Sequence, residues 1–194
     1  MPKMEPIKIS SYSKGYGRPE TGLSNQSAMQ FATARAEQLS QRDMRDLKMR
    51  EAGATIEKYF GSNAPLISAM LGNIDVETGG TFDFQQQQKG GNGYGLFQYD
   101  FHKPFYKKFL NENNLTDGVD SQVRYAYENI YGDLQNVLGS GNAEKLRKSF
   151  KTSQGPIKLS DDIMNIFLRP GVPHADRRRE SARMHSLAIT PAKE

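Results

Sequence analysis

Glu77 is the residue of this 194-residue sequence whose type and position point most directly to acid catalysis. It follows Met70 by seven positions and Ile74 by three, so on a helix its carboxylate falls within the apolar stripe. Burial disfavours the charged form of a carboxyl group, and the negative end of a helix dipole adds to that effect. The pattern therefore predicts a pKa raised toward neutrality, as a general acid that protonates a glycosidic oxygen requires.

A structural role for Glu77 stays open at this point. Its carboxylate could cap backbone N–H groups of the following loop, or pair with one of the arginines clustered at 177–183. That cluster is equally typical of a solvated helix face, or of a contact to an anionic substrate. Asp75, two residues earlier, points to roughly the opposite side of a helix, so we expect it to be solvated and to form no dyad with Glu77.

A glycine-rich segment, TFDFQQQQKGGNGYGLFQYD, follows the acid at residues 81–100. Its glycine-rich turn lies between two aromatic-bearing arms, which predicts a small β-hairpin or an irregular loop. The KGGNGYG run lacks the Lys-Ser/Thr ending of a P-loop, so Gly93 and Gly95 indicate close backbone approach rather than a phosphate cradle.

Three motifs occur in an order that resembles a known family. LGNIDVETGG followed by GYGLFQYD is similar to the helix-ending Glu and G-x-G-L-x-Q segment of goose-type lysozymes, lytic transglycosylases and phage tail lysozymes. IFLRPGVPHADRRRESA resembles the closing F-x-R-P-G…R-R…A segment of the phage tail lysozymes, so the similarity covers about residues 62–188. The resemblance implies a mainly α, α+β lysozyme-like fold, with a small β element between Thr81 and Asp100 bordering a cleft.

The resemblance also implies roles for individual residues. Glu77 would be the acid/base that protonates the leaving oxygen, and Gln98 would line the cleft and orient the sugar or nearby backbone. Tyr94 and Tyr99 would be stacking surfaces for pyranose rings, unless they pack into a core.

A retaining or inverting glycosidase needs a second carboxylate. Asp83 and Asp100 flank the glycine-rich loop and are the candidates, although each is equally typical of a turn. Without a second acid, the 6-hydroxyl of muramic acid would close an anhydro sugar. Hydrolysis and lytic transglycosylation therefore both stay open.

Helical periodicity predicts the elements around these residues. Residues 63–78 form a short buried helix with Asn63 as N-cap and Pro65 in the first turn. Residues 121–138 carry one uninterrupted apolar face and predict a single helix, and three further helices begin at the N-caps Asn142, Ser160 and Asp176.

We expect four parts along the chain. Residues 1–25 read as an extended arm, and 26–60 as a helical linker or assembly helix with a thin apolar stripe. The lysozyme-like domain spans 61–188, and 189–194 form a tail.

Composition restricts the partners. The chain has no cysteine and its three histidines lack H-E-x-x-H spacing, so we expect no metal and no cofactor. A net charge of +4 favours weak attraction to polyanions, but without a groove-entering motif we expect no specific nucleic acid. The sequence shows neither the apolar core of a signal peptide nor a membrane span, so another component would bring it to a cell wall.

The resemblance implies a virion-associated peptidoglycan hydrolase, and the lack of a signal-peptide core agrees with this. It would cleave the MurNAc–GlcNAc bond at the host cell wall during infection, in support of genome ejection, with other tail or internal core proteins as partners. The alternative is a virion structural or adaptor protein with an inactive lysozyme-like domain, and a third possibility is a non-catalytic glycan-binding module.

Overall fold

The computed structural model describes residues 25–152 and 155–189. The chain divides into two units, residues 1–39 and 40–194. In the first unit the described residues 25–39 are helical, and their described side chains are exposed. The predicted arm lies outside the described residues apart from Asn25, and so does the predicted tail beyond Ile189. The four-part division stays a prediction.

Helices make up most of the described chain, which confirms the expectation of a mainly helical fold. They are α1 (Asn25–Phe60), α2 (Ala64–Glu77), α3 (Lys103–Glu112), α4 (Val119–Ile130), α5 (Gln135–Leu138), α6 (Ser140–Thr152), α7 (Pro156–Asp162), a π-helical segment (Ile163–Leu168) and α8 (Ala175–Ile189). Among the helices that the structure covers, none combines the length and the apolar character that crossing a membrane demands.

Helix α2 is the centre of the larger unit, and its predicted boundaries are confirmed. The Asn63 side chain accepts a hydrogen bond from Leu66 N at 3.1 Å, and proline occupies the first turn. Nine consecutive residues from Leu66 to Ile74 are buried, so the helix is surrounded rather than half-exposed. It packs most extensively against α8.

The small β element expected at residues 81–100 is not seen. The segment forms turns and a single antiparallel bridge between Gln87 and Tyr94, and the described residues contain no strand. Phe82 and Gln98 adopt left-handed φ angles of 53° and 46°. Left-handed residues turn the chain sharply, so Phe82 and Gln98 limit the stretch over which the two arms can pair.

The single helix expected at 121–138 is interrupted. Helix α4 ends at Ile130, and Gly132 N and Leu134 N both donate to Glu128 O before α5 begins. Glycine has a low helix propensity, so the chain turns at Gly132 although the apolar repeat continues past it. This break shortens α4 without removing its apolar face from the core.

Candidate active site

A cleft of about 410 Å³ lies where the end of α2 meets the loop after Phe97 and the loop that precedes α8. Its walls combine aromatic and aliphatic side chains with a group of polar ones. The polar lining residues are Glu77, Gln88, Gln98, Asp100, His102, Arg169, His174 and Arg178.

Glu77 is the last residue of α2 and reaches the cleft from the core side. Its side chain is 13% exposed, and Oε1 accepts a hydrogen bond from Arg178 Nη2 at 2.9 Å. Burial raises the pKa of Glu77 above its ordinary value, and the nearby charges of Arg178 and His174 offset only part of that effect. The carboxyl group is therefore both held in place and biased toward its protonated form.

Arg178 is 1% exposed, and each nitrogen of its guanidinium has an acceptor. Besides the bond to Glu77, Nε donates to Pro173 O at 2.6 Å and Nη1 donates to Asn73 Oδ1 at 3.1 Å. Asn73 in turn donates through Nδ2 to Ser160 O and Oγ, at 3.2 Å and 3.0 Å. A buried network thus connects α7, α2 and α8 and fixes the arginine that contacts Glu77.

The pairing of Glu77 with an arginine of the last helix, left open by the sequence, is observed. The neighbouring arginines have other partners: Arg179 pairs with Asp161 at 2.9 Å, and Arg183 pairs with Glu180 at 2.7 Å. Both are about half exposed. Only part of the cluster at 177–183 is therefore a solvated face.

Gln98 and Asp100 line the same cleft as Glu77. Gln98 Nε2 donates to Gly95 O at 2.8 Å and to Gln86 O at 3.3 Å, so its amide orders the glycine-rich loop. Asp100 is exposed, and in the described part of the chain no group hydrogen-bonds to its carboxylate. It is the second carboxylate among the residues that line the cleft.

Asp83, the other predicted carboxylate, lies away from the cleft lining. Its Oδ1 atom is 3.6 Å from Lys48 Nζ and accepts a hydrogen bond from Gln85 N at 3.2 Å. The residue therefore serves as a turn-forming aspartate with an exposed ion pair.

Of the two predicted stacking tyrosines, Tyr99 is among the residues that line the cleft and Tyr94 is not, and neither ring is freely exposed. Tyr99 is 2% exposed, and its hydroxyl donates to Gln122 O at 2.8 Å. Burial raises its pKa well above the ordinary value. Tyr94 is half-buried outside the lining, with its hydroxyl donating to Asp117. Buried phenols need a hydroxyl partner, and the core supplies one for each ring.

The model of the phage tail lysozyme family matches residues 49–186. The chain belongs to the phage tail lysozyme family. The matched segment contains α2, the cleft and most of α8, so the whole site described above lies within the family domain. A search among curated proteins found no match. Membership of this family suggests a bacteriophage protein that acts on peptidoglycan.

Sequence reasoning missed three residues that the structure places at the cleft. Phe101 is 44% exposed, and the guanidinium carbon of Arg169 lies 5.1 Å from its ring centroid. His102 is buried with Nδ1 3.2 Å from Tyr125 Oη, and burial together with the charge of Arg169 lowers its pKa to about 4. All three adjoin or lie within recognised motifs, but no periodicity marks them.

The sequence pattern predicted that Asp75 is solvated, and this prediction was wrong. Its side chain is 19% exposed, and it accepts hydrogen bonds from Ser181 Oγ at 2.5 Å and from Arg45 Nη2 at 3.2 Å. Helix α8 covers this side of α2 as well, so the position opposite Glu77 is also enclosed. The expectation that Asp75 forms no dyad with Glu77 agrees with its absence from the cleft lining.

Proposed function

We propose that this phage tail lysozyme domain cleaves the MurNAc–GlcNAc bond of peptidoglycan, with Glu77 as acid/base. The observation that carries the proposal is a mostly buried carboxyl group with a raised pKa on the wall of a cleft. A pKa nearer to neutrality keeps a proton available for the glycosidic oxygen and favours its transfer. Family membership supports peptidoglycan as the substrate.

Arg178 acts as a positioning residue in this proposal. It binds Oε1 of Glu77, whereas Oε2 has no hydrogen-bond partner among the residues that the structure covers. We assign the transferable proton to Oε2. After transfer, the guanidinium stabilises the carboxylate that remains, which then serves as the base of the second step.

The second step follows the single-carboxylate route in our proposal. A catalytic carboxylate is normally held by hydrogen bonds, but Asp100 is exposed and has no such partner among the described residues. In the first step the acetamido oxygen of muramic acid attacks C1 while the bond from C1 to the leaving oxygen breaks. In the second step the 6-hydroxyl oxygen attacks C1 and displaces the acetamido oxygen. Glu77 gives its proton to the leaving oxygen and receives the 6-hydroxyl proton, so the product ends in an anhydro sugar.

Purified peptidoglycan tests the role of Glu77. We expect the full chain to clear a suspension and Glu77→Gln to lose about 10³-fold in rate, because the amide cannot donate a proton. Glu144→Gln is the matched control, since Glu144 is exposed on α6, and it should retain full activity. Equal thermal unfolding of the variants would show that the loss is chemical. No clearing by the native chain would support the inactive adaptor instead.

Mass spectrometry of the released fragments tests the route. Anhydro ends support the single-carboxylate mechanism, and Asp100→Asn should then keep most of the native activity. Reducing ends, together with loss of activity in Asp100→Asn, would overturn this route and assign Asp100 as the second carboxylate.

We further propose that the protein is carried in the virion and acts at the host cell wall, with residues 1–60 contacting tail or internal core proteins. Met44 and Leu47 on α1 support a contact role, since they are 52% and 61% exposed although apolar. Proteomic detection in purified particles, and crosslinks from residues 1–60 to other virion proteins, would test this assignment. Absence of the protein from purified particles would contradict this assignment.

A further inference from the structure

Phe101 is a large aromatic residue that stays 44% exposed while it lines the cleft. Phe105, one turn later, is exposed to a similar extent, at 47%, but lies outside the cleft lining. Exposed apolar side chains within a concave site mark surfaces that a ligand covers. Phe101 therefore offers the cleft an apolar surface that the buried tyrosines do not.

Arg169 lies beside this ring with its charge uncompensated. Its guanidinium carbon is 5.1 Å from the Phe101 ring centroid, Nε donates to Ile166 O at 3.1 Å and Nη2 donates to Leu138 O at 3.2 Å. Among the described residues no carboxylate pairs with Arg169, and Nη1 has no acceptor. The guanidinium is thus held in the cleft by neutral carbonyls, with one nitrogen left for an anionic ligand.

The backbone at Arg169 is consistent with such a role. It adopts a left-handed φ of 48°, and it ends the π-helical segment. A non-glycine residue in this region is strained, and such strain is concentrated at binding sites.

We propose that Phe101 and Arg169 form a subsite for a sugar that carries a carboxylate, and that this subsite selects muramic acid over neutral amino sugars. The apolar C–H face of the pyranose packs on the exposed part of Phe101, and the carboxylate accepts hydrogen bonds from Arg169. On a sugar without a peptide the carboxylate belongs to the lactyl group, and on a sugar with a peptide, whose lactyl carboxyl is amide-linked, it belongs to the peptide. The inference rests on the proposed function only in taking the glycan as the ligand.

Binding is measured on the full chain with Glu77→Gln as background, so that no turnover occurs. Sedimentation with insoluble peptidoglycan gives the affinity. We expect Phe101→Ala to weaken binding about tenfold, and the matched control Phe105→Ala to stay within about twofold. Equal effects of the two substitutions would overturn the stacking role of Phe101.

Changes to the substrate test Arg169 without altering the protein. Amidation of the peptidoglycan carboxyl groups should weaken binding about tenfold in the background protein but not in its Arg169→Gln derivative. A chitin oligosaccharide, which has no carboxylate, should bind as weakly as the amidated glycan. Unchanged affinity for either ligand would overturn the selection role of Arg169.

Peptide-free glycan, in which the lactyl carboxylate is free, separates the two sources of charge. Retained binding supports recognition of the lactyl group, and lost binding supports recognition of the peptide. The two proposals fail in different ways. Glu77-dependent clearing with no effect of Phe101→Ala on binding overturns this inference alone, whereas selective binding without any cleavage overturns the proposed function alone.

Discussion

Asp75 and Glu77 lie two residues apart at the end of α2, and each accepts a hydrogen bond from an arginine. Both are mostly buried, with side-chain exposures of 19% and 13%. Their pKa values nevertheless move in opposite directions. Burial raises both, but at Asp75 the opposing contacts prevail and the pKa falls to about 2, whereas at Glu77 burial prevails.

The donors available to each carboxylate explain the difference. The groups that lower the pKa of Asp75 are, in order, His185, whose Nε2 atom lies 3.8 Å from the carboxylate, and then Ser181 and Arg45, which donate hydrogen bonds to it. Glu77 has one guanidinium nitrogen, and the rest of that guanidinium is engaged by Pro173 and Asn73. An arginine that also binds other acceptors therefore positions the carboxyl group of Glu77 without lowering its pKa below the ordinary value. The several donors around Asp75 do lower the pKa of that carboxyl group.

Replacement of Arg178 with methionine should have the largest effect on this contrast. Loss of the positive charge would raise the pKa of Glu77 further, because only the smaller effect of His174 would still oppose burial. A general acid works while protonated, so its activity is present below its pKa and lost as the pH rises through it. The falling limb of the kcat/KM profile should move to higher pH, and the free energy of unfolding should drop by about 3 kcal/mol.

Arg179→Met is the control for this variant. Arg179 is the next residue of α8, its side chain is 43% exposed, and it pairs with Asp161 away from the cleft. We expect little loss of stability and an unchanged pH profile. If both variants gave the same profile as the native chain, the positioning role of Arg178 would be wrong.

Gly72→Ala should have the next largest effect, because it disturbs both carboxylates. A Cβ at Gly72 would lie 2.5 Å from Ala182 N and 2.7 Å from Ala182 Cα, and backbone atoms cannot rotate away. Helix α8 would have to shift, and it carries both Arg178 and Ser181. We expect about 2 kcal/mol of destabilisation by thermal unfolding, after the better helix propensity of alanine is included.

Gly141→Ala provides the comparison for this substitution. Gly141 lies in α6, and a Cβ there would meet nothing within 4 Å. The same change should therefore be neutral or stabilise the chain by up to about 1 kcal/mol. Equal stability of the two variants would show that the contact between α2 and α8 tolerates a methyl group.

The sequence was sufficient for α2 because its signals were local. Asn63 caps the helix, Pro65 lies in its first turn and the apolar residues recur at helical spacing. Gly132 shows the limit of such sequence-based prediction. The apolar repeat continues across the break between α4 and α5, because that break depends on backbone turns and not on the side-chain pattern. The glycine-rich loop at residues 81–100 shows the same limit of sequence-based prediction, because segments that carry aromatic residues can form either strands or packed turns.

For the site, the position of Glu77 in the apolar stripe predicted its burial, but its partner depended on how α8 is rotated against α2. The close approach of Gly72 to Ala182 sets that rotation, and neither residue carries a chemical signal. The packing of α8 against α2 also covers Asp75. Its solvent exposure was predicted from the spacing of residues in α2 alone. Helical spacing predicts on which face of a helix a side chain lies, but the packing of the neighbouring helix determines whether that face is exposed to solvent.

Asp75→Asn tests the other half of the contrast and should have the smallest effect. The pKa of Asp75 is about 2 in the folded chain against an ordinary value of 3.8, which corresponds to at most about 2 kcal/mol, and partial exposure reduces this to about 1 kcal/mol. A lowered pKa stabilises the fold above the ordinary value, and this contribution is lost as the pH falls through the folded value.

Denaturant unfolding of the native chain and Asp75→Asn should therefore differ at pH 6 and converge as the pH falls from 4 to 2. Asp133→Asn, at an exposed aspartate without a described partner, should show no gap at any pH. Cleavage of peptidoglycan by Asp75→Asn should stay near the native rate, since Asp75 does not line the cleft. A loss comparable to that of Glu77→Gln would mean that the two carboxylates act together, and the contrast drawn from their donors would not explain the chemistry.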